Sequence, residues 1–375
     1  MKEIQLGEIC GYRIESVPVD PSRYISTETM MPNRGEAIFS SSAPAGGKAR
    51  RFCKGDTLVS NIRPYFKKIW QADCDGCCSN DILVFEPRAC LPDYLYWLLS
   101  GDSFFDYVVA TSKGTKMPRG DKNAIMDYRA VDFDQETQLS ISRILNPMRK
   151  LIATNRRIND YLAETIEALF KHEILEAIDD SWSRASLLDI ADYKNGLAMQ
   201  KFRPKGTDPG LPVLKIKELG QGQCAADAER CRSDIDESVQ VHDGDLIFSW
   251  SGTLLLDFWA GGNAGLNQHL FKVSSEKYSP LFYYLWTNYH MRKFIALAKD
   301  RATTMGHIKR SALAESEVYI PNASRMLELG RLFDPLIERL VSSKIESKKL
   351  SELRDVLLPK LMSGEIDVGM VEISG

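Results

Sequence analysis

The heptapeptide KGDTLVS, residues 54–60, has the form of a turn that delivers a buried strand: Gly-Asp supplies the turn and Leu-Val the apolar run. A second heptapeptide, DGDLIFS at residues 243–249, has the same form 189 positions later. Self-similarity at long period decides an architecture before any local pattern does. The repeat continues at an offset of 188. PDYLYWLL from Pro92 matches PLFYYLWT from Pro280, Thr115 and Met117 match Thr303 and Met305, and Pro147, Leu162 and Leu169 match Pro335, Leu350 and Leu357. Ahead of the first strand the offset slips to 181, where Leu6, Ile9 and Tyr12 match Leu187, Ile190 and Tyr193. A period of this size is a duplicated domain, not a short solenoid unit.

The chain has 375 residues, 26% charged and 44% hydrophobic, enough for two or three ordinary domains. MKEIQLGEIC at the amino terminus has no apolar signal core, and charges interrupt every apolar stretch before the ~18 residues of a membrane span. A cytoplasmic protein without membrane association is expected. The formal net charge of -3 and pI near 6.1 argue against a solitary nucleic-acid binder, and leave open one that shares its DNA with basic partners. The eight cysteines, six of them at or before Cys90, are expected to be reduced thiols.

Both copies have the same internal order. Short apolar runs broken by Gly, Pro, Asn and Asp (TLVSNI, DILVFEP, DLIFSW, HLFKV) read as strands, and LPDYLYWLLSGDSFFDYVV and SPLFYYLWTNYHMRKFIAL as helices. A long periodic helix then follows in each. The expected class is α+β: modules at residues 1–135 and 181–322, long helices at 136–180 and 323–365, and a tail at 366–375. The first helical seam runs Ile141, Leu145, Met148, Ile152, Asn155, Asn159, Leu162, Ile166, Leu169. The second runs Leu329, Phe333, Leu336, Leu340, Ser343, Ser347, Leu350, Arg354, Leu357. Steps of four and three define a heptad seam, and the polar layer Asn155, Asn159, Ser343, Ser347 sits mid-seam in both, which favours pairing with aligned centres. Seam polarity alone leaves parallel and antiparallel pairing open. Asn146-Pro147 and Asp334-Pro335 have the form of helix starts, so a break or kink is expected there, leaving a short helix before each long one. The rod from Pro147 to about Ile178 measures roughly 45–50 Å at ~1.5 Å per residue.

Catalytic patterns fail on their spacing. SAPAGGKA has Ser42 and Ala49 where a phosphate loop needs Gly and Ser or Thr, and HEILE has Glu176 in place of a second zinc-binding His. Cys74 and Cys77 have zinc-hairpin spacing, with Cys53 or Cys90 available to complete four ligands, but no second CxxC pair accompanies them. FSWSGT lacks the first Gly of a nucleophile elbow. No metal and no catalysis by the chain itself are expected.

Two modules that share strands and differ in loops, SNIRPYFKKIW against SWSGTLLLDFW and GTKMPRGDK against ATTMGHIKR, are suited to read two different targets. The doubled order of GDxLxS strand, aromatic helix, Thr-x-Met loop and long helix, with the terminal LLPKLMSGEIDV, resembles the specificity subunits of type I restriction-modification enzymes. The resemblance covers essentially the whole chain. It implies two target-recognition domains, an antiparallel coiled coil with a pseudo-two-fold relation, and a bipartite double-stranded DNA site whose unread gap the helices measure. It also implies partner subunits: methyltransferase subunits that bind S-adenosylmethionine and methylate adenine, and restriction subunits that use ATP and magnesium, none of these cofactors being held by the chain. Candidate DNA contacts, chosen by side-chain chemistry, are Arg63, Lys67, Lys113, Thr115, Lys116 and Arg119 in the first copy. In the second they are Lys201, Arg203, Lys205, Arg301, Thr303, Thr304, His307 and Lys309. The recurrent Thr-Met pair is expected to position its loop or hold a phosphate. Two alternatives are a specificity subunit of another methylation-linked defence system and a scaffold whose two modules bind proteins.

Overall fold

The computed structural model describes residues 2–300 and 308–370. The chain divides into two compact units, residues 1–153 with 350–375, and residues 154–349. Each unit combines one module with a stretch of both long helices.

The strand delivered by the Gly-Asp turn is the centre of each module. Thr57–Ser60 and Leu246–Ser249 are buried along their whole length. Alternate side chains of a strand point to opposite faces, so each strand divides two cores. Leu58 joins Phe52, Ile82 and Val84 on one face, and Val59 joins Leu83, Phe85 and Trp97 on the other. In the second unit Ile247 faces Val213 and Trp259 while Leu246 and Phe248 face Tyr193 and Trp286.

The preceding turns agree bond for bond. Gly55 and Gly244 take φ of 93° and 94°, a conformation that favours glycine. Asp56 and Asp245 donate their N–H to Cys53 O (3.0 Å) and His242 O (3.1 Å), and their carboxylates accept from the N–H of the same two residues, both at 2.8 Å. The counter-charges come from different strands. Arg13 donates to both oxygens of Asp56, at 2.6 and 3.1 Å, and its pKa is raised chiefly by that bond. Lys272, in the strand Leu270–Ser274, lies 2.8 Å from Asp245.

Each module carries a four-stranded antiparallel sheet in the same order: Cys10–Tyr12, Ile82–Pro87, Thr57–Ser60, Ile69–Gln71 in one, and Asp192–Asn195, Leu270–Ser274, Leu246–Ser249, Leu256–Phe258 in the other. A two-stranded ribbon closes each module, Glu3–Gln5 with Arg129–Val131, and Ser183–Ser186 with Glu317–Ile320. The remaining sheet shares three strands. Tyr24–Ile25 runs parallel to Gly76–Cys78, which pairs antiparallel with Lys48–Phe52. Leu211–Leu214, Ala264–Leu266 and Gln240–Val241 repeat that arrangement. The fourth strand is added on opposite edges: Ser16–Pro18 beside Lys48–Phe52, but Arg230–Cys231 beside Leu211–Leu214.

The aromatic helix also differs between copies. It is the single helix Pro280–Asp300 in the second unit and the pair Pro92–Ser100 and Asp102–Ala110 in the first, divided at Gly101, whose counterpart is Tyr289. Glycine disfavours a helix interior, and here its ψ of 145° ends the first helix.

The long helices are Gln135–Glu173 and Ala323–Met362, and they pair antiparallel as a coiled coil. In the second unit Glu173 meets Arg325 at 2.7 Å, while Asn155 donates to Glu346 at 2.7 Å and Ser343 to Asn159. In the first unit Ile141 and Leu145 share a core with Leu358 and Leu361. Of the expected break or kink, a break does not occur: both prolines lie inside continuous helices. The helix starts are Asp134 and Asn322, which are 188 apart and accept from the N–H of Thr137 (2.8 Å) and Arg325 (3.0 Å). Asn146 does not cap Pro147. It accepts from Trp97 Nε1 at 2.9 Å and donates to Asp93 at 2.7 Å, tying the helix to its module. The proline removes one backbone donor, a local loss that packing on both sides offsets.

The turn carboxylates give a test. Asp56 is 2% exposed, so Asp56→Ala leaves the Arg13 guanidinium with Glu86 alone, at 2.8 Å, and strands the Cys53 N–H. A loss of about 3 kcal/mol in urea unfolding is expected, the scale for one-sided deletion of a buried pair. Asp245→Ala, at a more exposed turn, is expected to lose less.

Candidate nucleic-acid interface

The hairpin that follows each central strand is where the two modules differ most. In the first, a short 3-10 turn at Pro64–Phe66 is flanked by Arg63 and Lys67, both with left-handed backbone (φ 51° and 50°). A second turn supplies Asn33 and Arg34 at φ 55° and 62°. Among the described residues these are the four non-glycine residues with positive φ, and they meet. Asn33 N–H donates to Phe66 O and Arg34 N–H to Lys67 O, both at 2.9 Å. Left-handed backbone costs a non-glycine residue roughly 1–2 kcal/mol, so the surrounding bonds must hold it. Arg34 donates through Nε to Ser100 O at 2.6 Å, and Arg34 and Lys67 both bind Asp102, Lys67 at 2.7 Å. Burial raises the pKa of Asp102, but the two cations outweigh it and the carboxyl lies below its usual range.

The loop at residues 113–119 lies alongside. Lys113 and Arg119 exchange backbone hydrogen bonds (2.9 and 3.0 Å), and Arg63 N–H donates to Pro118 O at 2.9 Å. Thus the structure brings together the first-copy candidates Arg63, Lys67, Lys113, Thr115, Lys116 and Arg119. They are not equivalent. Lys67 is engaged by Asp102, Lys113 by Asp121 at 2.5 Å and Arg119 by Asp81 at 3.0 Å, while Thr115 and Lys116 stand exposed at the loop tip.

In the second module Arg203 pairs with Glu229 at 3.0 Å, which also takes Lys215 at 2.6 Å. Lys201 and Lys205 are exposed in the adjoining segment, and Lys309 is exposed at the start of the helix Arg310–Ala314. Arg301, Thr303, Thr304 and His307 lie outside the described residues. In the polar layer Asn155 and Ser343 are fully buried, Ser343 bonds Asn159, and Ser347 donates to Ser343 O at 2.8 Å. The Asn155 Oδ1 has no partner among the described residues.

A choice made by cation chemistry passes over Tyr65 and Phe66, which are 48% and 39% exposed with ring centroids 4.7 Å apart. A signal was present but hidden. SNIRPYFKKIW and SWSGTLLLDFW have equal length and align their tryptophans, yet the ladders do not: Leu58 faces Trp70, whereas its counterpart Ile247 faces Asp257. The first hairpin is therefore two residues longer than the second.

Among the described residues no group of three His, Cys, Asp or Glu side chains could hold a metal ion, and no helix is long and apolar enough to cross a membrane. The fold is a duplicated pair of α+β modules built on paired long helices. In sequence the chain is similar to type I restriction enzyme specificity subunits. The MjaIX subunit of Methanocaldococcus jannaschii is 21% identical over 93% of this chain and 86% of its own length, and the HindI subunit of Haemophilus influenzae 21% identical over 85% and 88%. The crystal structure of the type I S subunit from M. genitalium matches with a TM-score of 0.57, at 15% identity, over 96% of each chain. No family model matches. The resemblance read from the sequence to type I specificity subunits therefore holds in both sequence and fold.

The strained backbone can be probed directly. Arg63→Gly places glycine where its second-module counterpart, Gly252 (φ 64°), already has it. Thermal unfolding is expected to show a gain of about 0.5–1 kcal/mol, the relief of left-handed strain less the added chain entropy of glycine.

Proposed function

We propose that this chain is the DNA-specificity subunit of a type I restriction-modification enzyme, each module reading one half of a bipartite double-stranded site. The observation that carries the reading is one strand scaffold, written twice and joined by paired long helices, with divergent hairpins and loops at its surface. Duplicated scaffolds with unlike reading surfaces suit an asymmetric site. The long helices act as the spacer that sets the unread gap. The chain catalyses nothing itself. Methyltransferase subunits bring S-adenosylmethionine to adenine, and ATP-dependent restriction subunits join the same assembly, in the cytoplasm with the host DNA. Partners that contribute basic surface supply much of the phosphate clamp, which accommodates a net charge of -3.

Deletion of the gene from a host that retains the partner methyltransferase should erase one bipartite methyladenine motif from the methylome. An unchanged methylome would rule the reading out. Replacing residues 182–322 by the corresponding module of a relative should alter one half of the motif and leave the other. Movement of both halves would contradict independent reading by the modules.

A further inference from the structure

Several features of the first module converge on one small surface. The four strained non-glycine residues occupy two turns that are hydrogen-bonded to each other. What this arrangement holds outward is the pair Tyr65 and Phe66. Pro64 is buried beneath the turn, Arg63 N–H is tied to Pro118 O, and Arg34 and Lys67 are anchored on Asp102. The hairpin tip is thus fixed from behind, on a stiff base, while its two largest apolar side chains remain in solvent. A protein that needed only to close a hairpin would put glycine at such positions, as the second module does with Gly252.

The comparison between modules sharpens the point. From Arg63, which corresponds to Gly252, to Ile69, which corresponds to Leu256, the first module has residues 64–68 and the second only 253–255. Within the shorter turn Leu254 is 9% exposed and belongs to the core of its own unit. The two extra residues of the first hairpin coincide with an exposed aromatic pair that the second lacks. Lys68 Nζ lies 6.0 Å from the Phe66 centroid while donating to Thr27 O, and two exposed cations, Arg63 and Lys116, belong to the same turn and the loop bonded to it, where Lys67 and Arg119 are paired with Asp102 and Asp81. Exposed aromatics beside the exposed cations Arg63 and Lys116 match the chemistry of a nucleic acid, in which flat apolar base faces lie between phosphates.

We infer that the Arg63–Lys67 turn is a base-contacting tip, whose Tyr65 and Phe66 rings stack against or wedge into the bases of the first module's half-site. The inference rests on the DNA-reading function proposed above. Arg63 and Lys116 meet the phosphates on either side, and Lys67 acts as a positioning residue by holding the turn to Asp102. The second module reads its half-site without such a tip, so the two halves of the site are recognised by different physical means.

The test uses the full chain assembled with its methyltransferase subunits. The unaltered assembly and the double variant Tyr65→Ala/Phe66→Ala are compared on a duplex bearing the motif mapped for the unaltered chain, and in the host methylome. The variant is expected to bind about 10- to 100-fold more weakly, the scale of one or two lost base–aromatic contacts. Its slope of log affinity against log salt should not change, because no phosphate contact is removed. In the methylome, base preference should relax in one half of the motif only. Tyr65→Leu/Phe66→Leu keeps the apolar bulk without the ring faces, and if the alanine pair lowers the unfolding temperature the same readouts are taken on the leucine pair. Unchanged affinity and an unchanged motif in a folded variant overturn the inference and leave the proposed function standing. A bipartite motif missing even with the unaltered chain overturns both. Lys116→Ala should behave oppositely, lowering the salt slope by about one with the motif intact.

Discussion

A strand buried on both faces tolerates no slip, since a shift of one residue would exchange the side chains of its two cores. Thr57–Ser60 and Leu246–Ser249 are such strands, and the point at which each begins is fixed by a carboxylate. Asp56 and Asp245 close a glycine turn through their own backbone and take a cation through their side chains. The rest of each module is arranged around that constraint: one core against the aromatic helix and the long helices, the other against the mixed sheet. The pairing of charge tolerates exchange of its source. Arg13 has Lys194 as its counterpart, and Lys272 has Val84, so the cation has moved to the neighbouring strand while the carboxylate stayed.

Around this fixed centre the modules diverge where the central strands impose least. The helix after the sheet is divided in one copy and continuous in the other, and the mixed sheet takes its fourth strand from different parts of the chain. The hairpin tip departs furthest, both in length and in backbone conformation. Strain of the kind held at Asn33, Arg34, Arg63 and Lys67 persists only where neighbouring bonds over-determine it. Here those bonds reach to the turn between the two aromatic helices, so the division of the helix at Gly101 and the shape of the hairpin tip are linked through Asp102.

What could be read from the chain alone followed from periodicity. The repeat, the buried strands and the long helices all leave evenly spaced apolar positions, and the polar layer at Asn155, Asn159, Ser343 and Ser347 interrupts them visibly. Asn146-Pro147 has the composition of a helix start without being one, whereas the residues that cap, Asp134 and Asn322, precede no proline and are distinguished by the bonds they make. The antiparallel sense of the coiled coil was invisible in a seam with polar residues at its middle, since either orientation aligns the centres. The hairpin tip was hidden by coincidence, two tryptophans keeping step in the text while the ladders shift by two. Cationic residues were easy to nominate and hard to rank, because whether Lys67 or Arg119 faces solvent depends on acidic residues distant in the chain, Asp102 and Asp81.

The opposite placement of the fourth strand limits how such chains can recombine. Ser16–Pro18 precedes the shared strand Tyr24–Ile25, while Arg230–Cys231 follows its counterpart Leu211–Leu214. A crossover just after Ile25 in one module and Leu214 in the other would give one product with both added strands and a reciprocal product with neither. The second would leave both edges of a three-stranded sheet open to pairing with other chains. Crossovers in the long helices avoid this, because each exchanged segment then carries a sheet already complete at its edges. The long helices are thus the places where one module can be replaced without unmaking the other.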